Sequence, residues 1–143
     1  MGRRRFKKRR KSYETGLVLD AYEKATATND RITPRCRHFG TCGGCNLQDL
    51  SYQDQIGAKR AVFIDLSQQQ HLARDFDLEQ VRVIASDQPF GYRQRMDFVR
   101  MPEGAGLRQA GRFRSVVPLE ECPLIGDVGI CALHAARDMA AAA

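Results

Sequence analysis

Apolar positions fall at helical spacing in one stretch of the chain and alternate in another. Tyr52, Ile56, Phe63 and Leu66, joined by Val62, share one face of a helix predicted from about 52 to 69. Ser51 stands where an N-cap belongs, Asp54 in the first turn, and Lys59 and Arg60 on the wet side. From Tyr92 to Leu119 the pattern changes to an antiparallel meander. Met96–Met101 reads as one strand, Pro102–Gly106 as a turn, Leu107–Gln109 as a second strand, Ala110-Gly111 as a break and Phe113–Pro118 as a third strand. Val81–Ile84 reads as a short strand, and the Ala-rich stretch 127–140 as a closing helix. Tyr13–Lys24 suits a strand or a short helix, and periodicity does not choose between them. Thr26–Pro34 is a polar linker. The predicted class is α+β, an antiparallel sheet with two helices.

At 143 residues the chain can bury one modest core, so one compact domain with a tail is expected. The net charge of +6 is local. Residues 3–11 hold eight Lys/Arg and no acid; without them 15 basic residues face 17 acidic ones. A second basic stretch, 93–114, sets Arg93, Arg95, Arg100, Arg108, Arg112 and Arg114 against only Asp97 and Glu103. Basic runs beside aromatics such as Phe6, Tyr92, Phe98 and Phe113 point to a polyanion, most simply nucleic acid. Arg3, Arg4, Arg5, Lys7, Lys8, Arg93, Arg95, Arg100 and Arg108 are the candidate contacts. No apolar run suits a signal peptide or a membrane span, so a cytoplasmic protein without a membrane partner is expected; the oligomeric state is left open, with a monomer favoured.

The densest chemistry is Cys36-x₅-Cys42-Gly-Gly-Cys45, with Cys122-Pro123 following after 76 intervening residues. Two sulfurs at Cys-x₂-Cys spacing can converge on one centre, and Gly43 and Gly44 free the backbone to turn and aim N–H groups at them. Four thiolates suit a [4Fe–4S] cluster or a structural zinc; spacing alone leans modestly toward iron. A disulfide framework needs an oxidising compartment, and a redox Cys-x-x-Cys needs a strand–turn–helix around Cys42, neither of which the sequence indicates. Cys131 reads as a buried thiol on the last helix, with a substitute ligand as the lesser alternative. His38, inside the cysteine loop, is a weak rival ligand; His71 and His134 have no metal spacing. Glu103-Gly104-Ala105-Gly106 looks like part of a nucleotide-binding loop, but no helix follows it and a hairpin turn explains it better.

These residues together resemble the RNA uracil-C5-methyltransferases, in particular the bacterial 23S rRNA 5-methyluridine enzymes. The resemblance rests on the run from Asp30 to Cys45, on Gly91-Tyr92-Arg93-Gln94-Arg95-Met96-Asp97-Phe98 and on Glu121-Cys122-Pro123-Leu124, in the order that family shows. It implies a [4Fe–4S] cluster on Cys36, Cys42, Cys45 and Cys122. It implies an RNA-binding TRAM barrel, of which residues 3–25 resemble the last hairpin, so that 1–30 is a TRAM remnant, 31–125 the cluster-bearing domain and 126–143 a C-terminal helix. It also implies a Rossmann-like domain that binds S-adenosylmethionine and carries a cysteine nucleophile for uracil C6. Neither the glycine-rich cofactor segment nor the nucleophile segment is found among these residues, so no catalytic residue is assigned and the chain by itself is expected to be inactive.

Three functions compete. The first is the RNA-binding, cluster-bearing portion of a 23S rRNA uracil-C5-methyltransferase. The second is a non-enzymatic zinc-ribbon-like RNA- or ribosome-binding module. The third, a ferredoxin-like electron carrier, is weakest, because carriers place more of their ligands close together in sequence.

Overall fold

The computed structural model describes residues 17–72 and 74–142, and they fall into two compact units. In the described residues, one unit takes residues up to Asp30 together with Ser51–Ala85; the other takes Arg31–Leu50 and Ser86 onward. The basic run at 3–11 lies outside the described residues, and with it Arg3, Arg4, Arg5, Lys7 and Lys8.

The first unit is helical. Residues 17–26 form the described part of helix α1, which decides the strand-or-helix question there and leaves no strand of the implied hairpin over those positions. Helix α2 runs Tyr52–Gln69 with Ser51 as its N-cap, the side chain accepting the Asp54 N–H as the sequence predicts. Its inward face differs from the expected one. Ala58, Val62 and Ser67 are buried, whereas Phe63 is 54% exposed. Small residues permit a close approach that a phenyl ring would block. Lys59 is exposed as expected, but Arg60 is half-buried, its guanidinium donating to the carbonyls of Glu79 (2.7 Å) and Val81 (2.9 Å). That grip fixes a short 3₁₀ turn, Leu78–Gln80. The strand expected at Val81–Ile84 does not form: β-branched residues favour a strand only where a partner strand exists, and Ile84 is 90% exposed.

The second unit holds the predicted meander. Strands β1 (Val99–Met101), β2 (Gly104–Gln109) and β3 (Arg112–Pro118) pair antiparallel in that order. The turns are tighter than expected: Pro102-Glu103 links the first pair, and Gly104 to Gly106 already belong to β2. Ala110-Gly111 links the second pair, with Gly111 at φ +69°, a left-handed conformation that glycine adopts cheaply. Helix α3 (Asp127–Ala141) closes the unit. Leu133 of α3 packs with Ala105 and Leu119, flanked by Phe98, Leu107, Val117 and Ala136. This unit therefore carries one helix, not two, because α2 falls in the other. Cys131 is exposed, not buried. It lies two residues, about 200° of helical turn, from the inward-facing Leu133.

Candidate metal centre

The loop that carries three of the cysteines is closed at its base, where the Ile32 N–H donates to the Asp49 carbonyl (2.8 Å) and Arg31 pairs with Asp49 (2.9 Å). Inside it, the chain turns back after Cys36. The N–H groups of Phe39 and Cys42 donate to the carbonyls of Cys36 and His38, and Gly40 takes φ +81°. The far side of the loop then lies along β2. Cys42 forms a bridge with Gln109, the Gly43 N–H donates to the Arg108 carbonyl (2.9 Å), and the Ala110 N–H donates to the Thr41 carbonyl (2.9 Å). The loop thus occupies the edge of β2 beyond the end of β1, which pairs only as far as Gly106.

Cys122 reaches the same place by a different route. The N–H groups of Gly91 and Arg93 donate to the carbonyls of Pro123 (2.9 Å) and Leu124 (2.8 Å), so the Gly91-Tyr92-Arg93 segment lies beside Cys122-Pro123-Leu124. Arg37 pairs with Glu120 (2.6 Å) and Glu121 (3.6 Å), and the Glu120 N–H donates to His38 Nε2 (3.2 Å). The three sequence segments that carry the resemblance, from Arg31 on in the first of them, are therefore assembled in one unit. His38, the rival ligand, has its Nε2 occupied by this bond.

Cys36, Cys42, Cys45 and Cys122 all line one cavity, whose other walls are mostly apolar, Phe39, Met96, Leu107, Leu119 and Leu124 among them, with His38 and Glu121 also in the lining. Its free volume of about 10 Å³ is room for at most a single water. All five cysteines are free. Among the described residues, no three Cys, His, Asp or Glu side chains gather on one metal-ion position.

Burial pushes the thiols of Cys36 and Cys45 above the ordinary range, and the neighbouring thiols, Cys122 foremost, push them further. N–H donors oppose that rise: the His38 backbone at Cys36, and Gln48 at Cys45. The Gly44 N–H also donates to Cys42 Sγ (3.4 Å). The glycine pair therefore does present an amide to sulfur, although neither glycine uses a positive φ. Their smallness is what matters: a Cβ on Gly43 meets the Arg108 carbonyl oxygen at 3.0 Å.

The basic candidates divide. Arg93, Arg95, Arg100 and Arg108 are all exposed. Arg95 pairs with Asp97 (3.0 Å), and the Arg108 guanidinium lies over the Phe113 ring at 4.8 Å. Gln48, buried between Cys36 and Cys45, escapes sequence reasoning; its position three residues after Cys45 is the available signal.

No protein-family profile matches the chain. Among curated proteins it is 36% identical over 122 residues to the tRNA (uracil(54)-C(5))-methyltransferase of Pyrococcus abyssi, covering 85% of this chain and 26% of that protein. It is 31% identical over 97 residues to the 23S rRNA (uracil(747)-C(5))-methyltransferase of Pyrococcus furiosus, covering 68% of this chain and 21% of that one. An uncharacterized RNA methyltransferase of Thermotoga maritima is 32% identical over 113 residues, 79% of this chain and 24% of the relative. The chain spans about a quarter of the length of the curated relatives it matches.

Proposed function

Since the chain belongs to the RNA uracil-C5-methyltransferase family along the quarter of those proteins that it matches, we propose that it is the RNA-binding, [4Fe–4S]-bearing portion of such an enzyme. Uridine in 23S rRNA is the first-choice substrate. Relatives named for tRNA and for 23S rRNA are both at hand, so the two RNAs form the arms of a binding test.

The observation that carries the reading is the meeting of four cysteines, from segments 76 residues apart, on one largely apolar cavity. A zinc ribbon draws its thiolates onto a single ion, whereas a cubane takes one thiolate per iron and spreads them. Cys36, Cys42, Cys45 and Cys122 would hold the cluster, which when bound supplies a cross-link between the 36–45 loop and the chain at 122. Arg93, Arg95, Arg100 and Arg108, with the basic run at 3–11, would neutralise RNA phosphates, and the exposed rings of Tyr92 and Phe113 would stack on unpaired bases. S-adenosylmethionine and the nucleophile would act in the transfer step, to which none of the residues named above is assigned.

Iron and acid-labile sulfide, measured in anaerobically purified protein, test the reading. Equal amounts of the two with a brown chromophore are expected. Stoichiometric zinc without sulfide overturns it in favour of a zinc-ribbon-like module.

A further inference from the structure

Gln48 is 8% exposed, and both ends of its amide are engaged. Its Oε1 accepts the backbone N–H of Cys36 at 3.1 Å, and its Nε2 donates to Cys45 Sγ at 3.3 Å. The amide orientation follows from chemistry: a backbone N–H can only donate, so oxygen must face Cys36 and the –NH₂ group must face the sulfur. One side chain therefore joins two of the four cysteines directly, holding one by its backbone and the other by its sulfur.

We propose that Gln48 is a positioning and tuning residue of the thiolate site, an outer-shell donor to the Cys45 sulfur that the four-cysteine pattern does not include. The proposal rests on the cluster reading above. An N–H···S bond spreads negative charge off a thiolate, and it favours the more negative, reduced form of any group that thiolate holds. In so enclosed a site, with Leu107, Leu119 and Leu124 in the walls, no water easily replaces a lost donor. The Oε1 contact has a separate task, which is to fix the turn at Cys36. Two roles in one side chain can be separated by replacing its two ends unequally.

Three chains are compared after anaerobic purification: the wild type, Gln48→Glu and Gln48→Leu. Glu keeps the acceptor for the Cys36 N–H and removes the amide donor; Leu removes both. The readouts are iron and sulfide content, midpoint potential by dye-mediated titration, thermal midpoint, and the rate of iron loss to a chelator. Both variants are expected to shift the midpoint potential to more negative values and to lose iron roughly tenfold faster or more, the range for removal of an outer-shell partner. Gln48→Leu should lose thermal stability by freeing the Cys36 N–H, and Gln48→Glu by bringing a carboxylate into an enclosed site beside the thiolates, so the potential and the iron-loss rate of Gln48→Leu carry the test. Wild-type protein with a cluster, and a potential unchanged in both variants, overturns the tuning role and leaves the cluster reading standing. Wild-type protein without iron or sulfide overturns both. If the variants fail to take up a cluster in cells, reconstitution with iron and sulfide under argon gives the same potential measurement.

Discussion

Replacing Gly43 by alanine tests how the cysteine loop is fastened to the sheet. A Cβ there lies 3.0 Å from the Arg108 carbonyl oxygen, with the Ala110 amide nitrogen at 3.4 Å and its Cα at 3.5 Å. All three neighbours are backbone atoms of the β2–β3 hairpin. The oxygen cannot step aside freely, because it accepts the Gly43 N–H at 2.9 Å. Relief must come from the loop lifting off β2, which strains that bond and the Ala110–Thr41 bond beside it. Overpacking of this kind costs about 1–3 kcal/mol. Gly43 has no positive φ, so alanine also gains about 0.4–1 kcal/mol by restricting the unfolded chain. A net loss of about 1–2 kcal/mol is expected. Gly44→Ala is the control for stability: its Cβ meets only side-chain atoms, the flexible Leu107 Cδ1 at 3.2 Å and Cys42 Sγ at 3.4 Å, and should cost less. Urea unfolding followed by circular dichroism gives the free energies, and iron retention reports whether Cys42 and Cys45 have moved. A Gly43→Ala protein as stable as the wild type, or less perturbed than Gly44→Ala, refutes the argument that backbone contact governs this site.

Cys42→Ser should abolish the brown colour and lower the thermal midpoint, since a bound cluster contributes folding energy; unchanged absorbance would remove Cys42 from the ligand set. Uptake of iron and sulfide should release protons and strengthen with rising pH through the neutral range. The thiols of Cys36 and Cys45 are raised by burial and so enter protonated, and a pH-independent uptake would contradict this. Replacing Arg93 and Arg95 together by alanine should weaken RNA binding with the thermal midpoint kept. The slope of log affinity against log salt should flatten by roughly 0.7–0.9 for each phosphate no longer neutralised. Affinity insensitive to both salt and the double replacement would reduce these arginines to surface charge, such as the Arg95–Asp97 pair. Leu133→Ala, at a site 1% exposed, should destabilise by about 3–5 kcal/mol in the same unfolding assay.

Local signals carry well where the physics is local. The Ser51 cap and the bounds of α2 follow from a few adjacent residues, and the meander from alternation interrupted by Pro102 and Gly111. Signals fail where a partner decides the outcome. Val81–Ile84 has strand propensity and no strand to pair with, and Phe63 has the spacing of a core residue but yields to Ala58 and Ser67. Cys131 departs from its expected burial because that expectation rests on cysteine being a commonly buried type, and only the position of Leu133 says which way α3 faces. At the thiolate site the four cysteines are legible by residue type. The Gln48 bridge and the Arg37 pairing with Glu120 and Glu121 are not, because each depends on a turn that brings distant polar groups together.

The order in which a ribosome delivers these pieces has a consequence of its own. The cysteine loop emerges before the edge it lies against: Arg108 to Ala110 is not made until some 65 residues after Cys45. At about 5–20 residues per second that interval lasts roughly 3–13 s. Throughout it, Cys36, Cys42 and Cys45 hang on a nascent segment without β2 to order them or Leu119 and Leu124 to shield them. Oxidants, stray metal ions and neighbouring thiols all have access to the half-made site during those seconds. A slow codon between residues 45 and 108 lengthens that exposure, and a fast stretch shortens it, with no change in the finished protein.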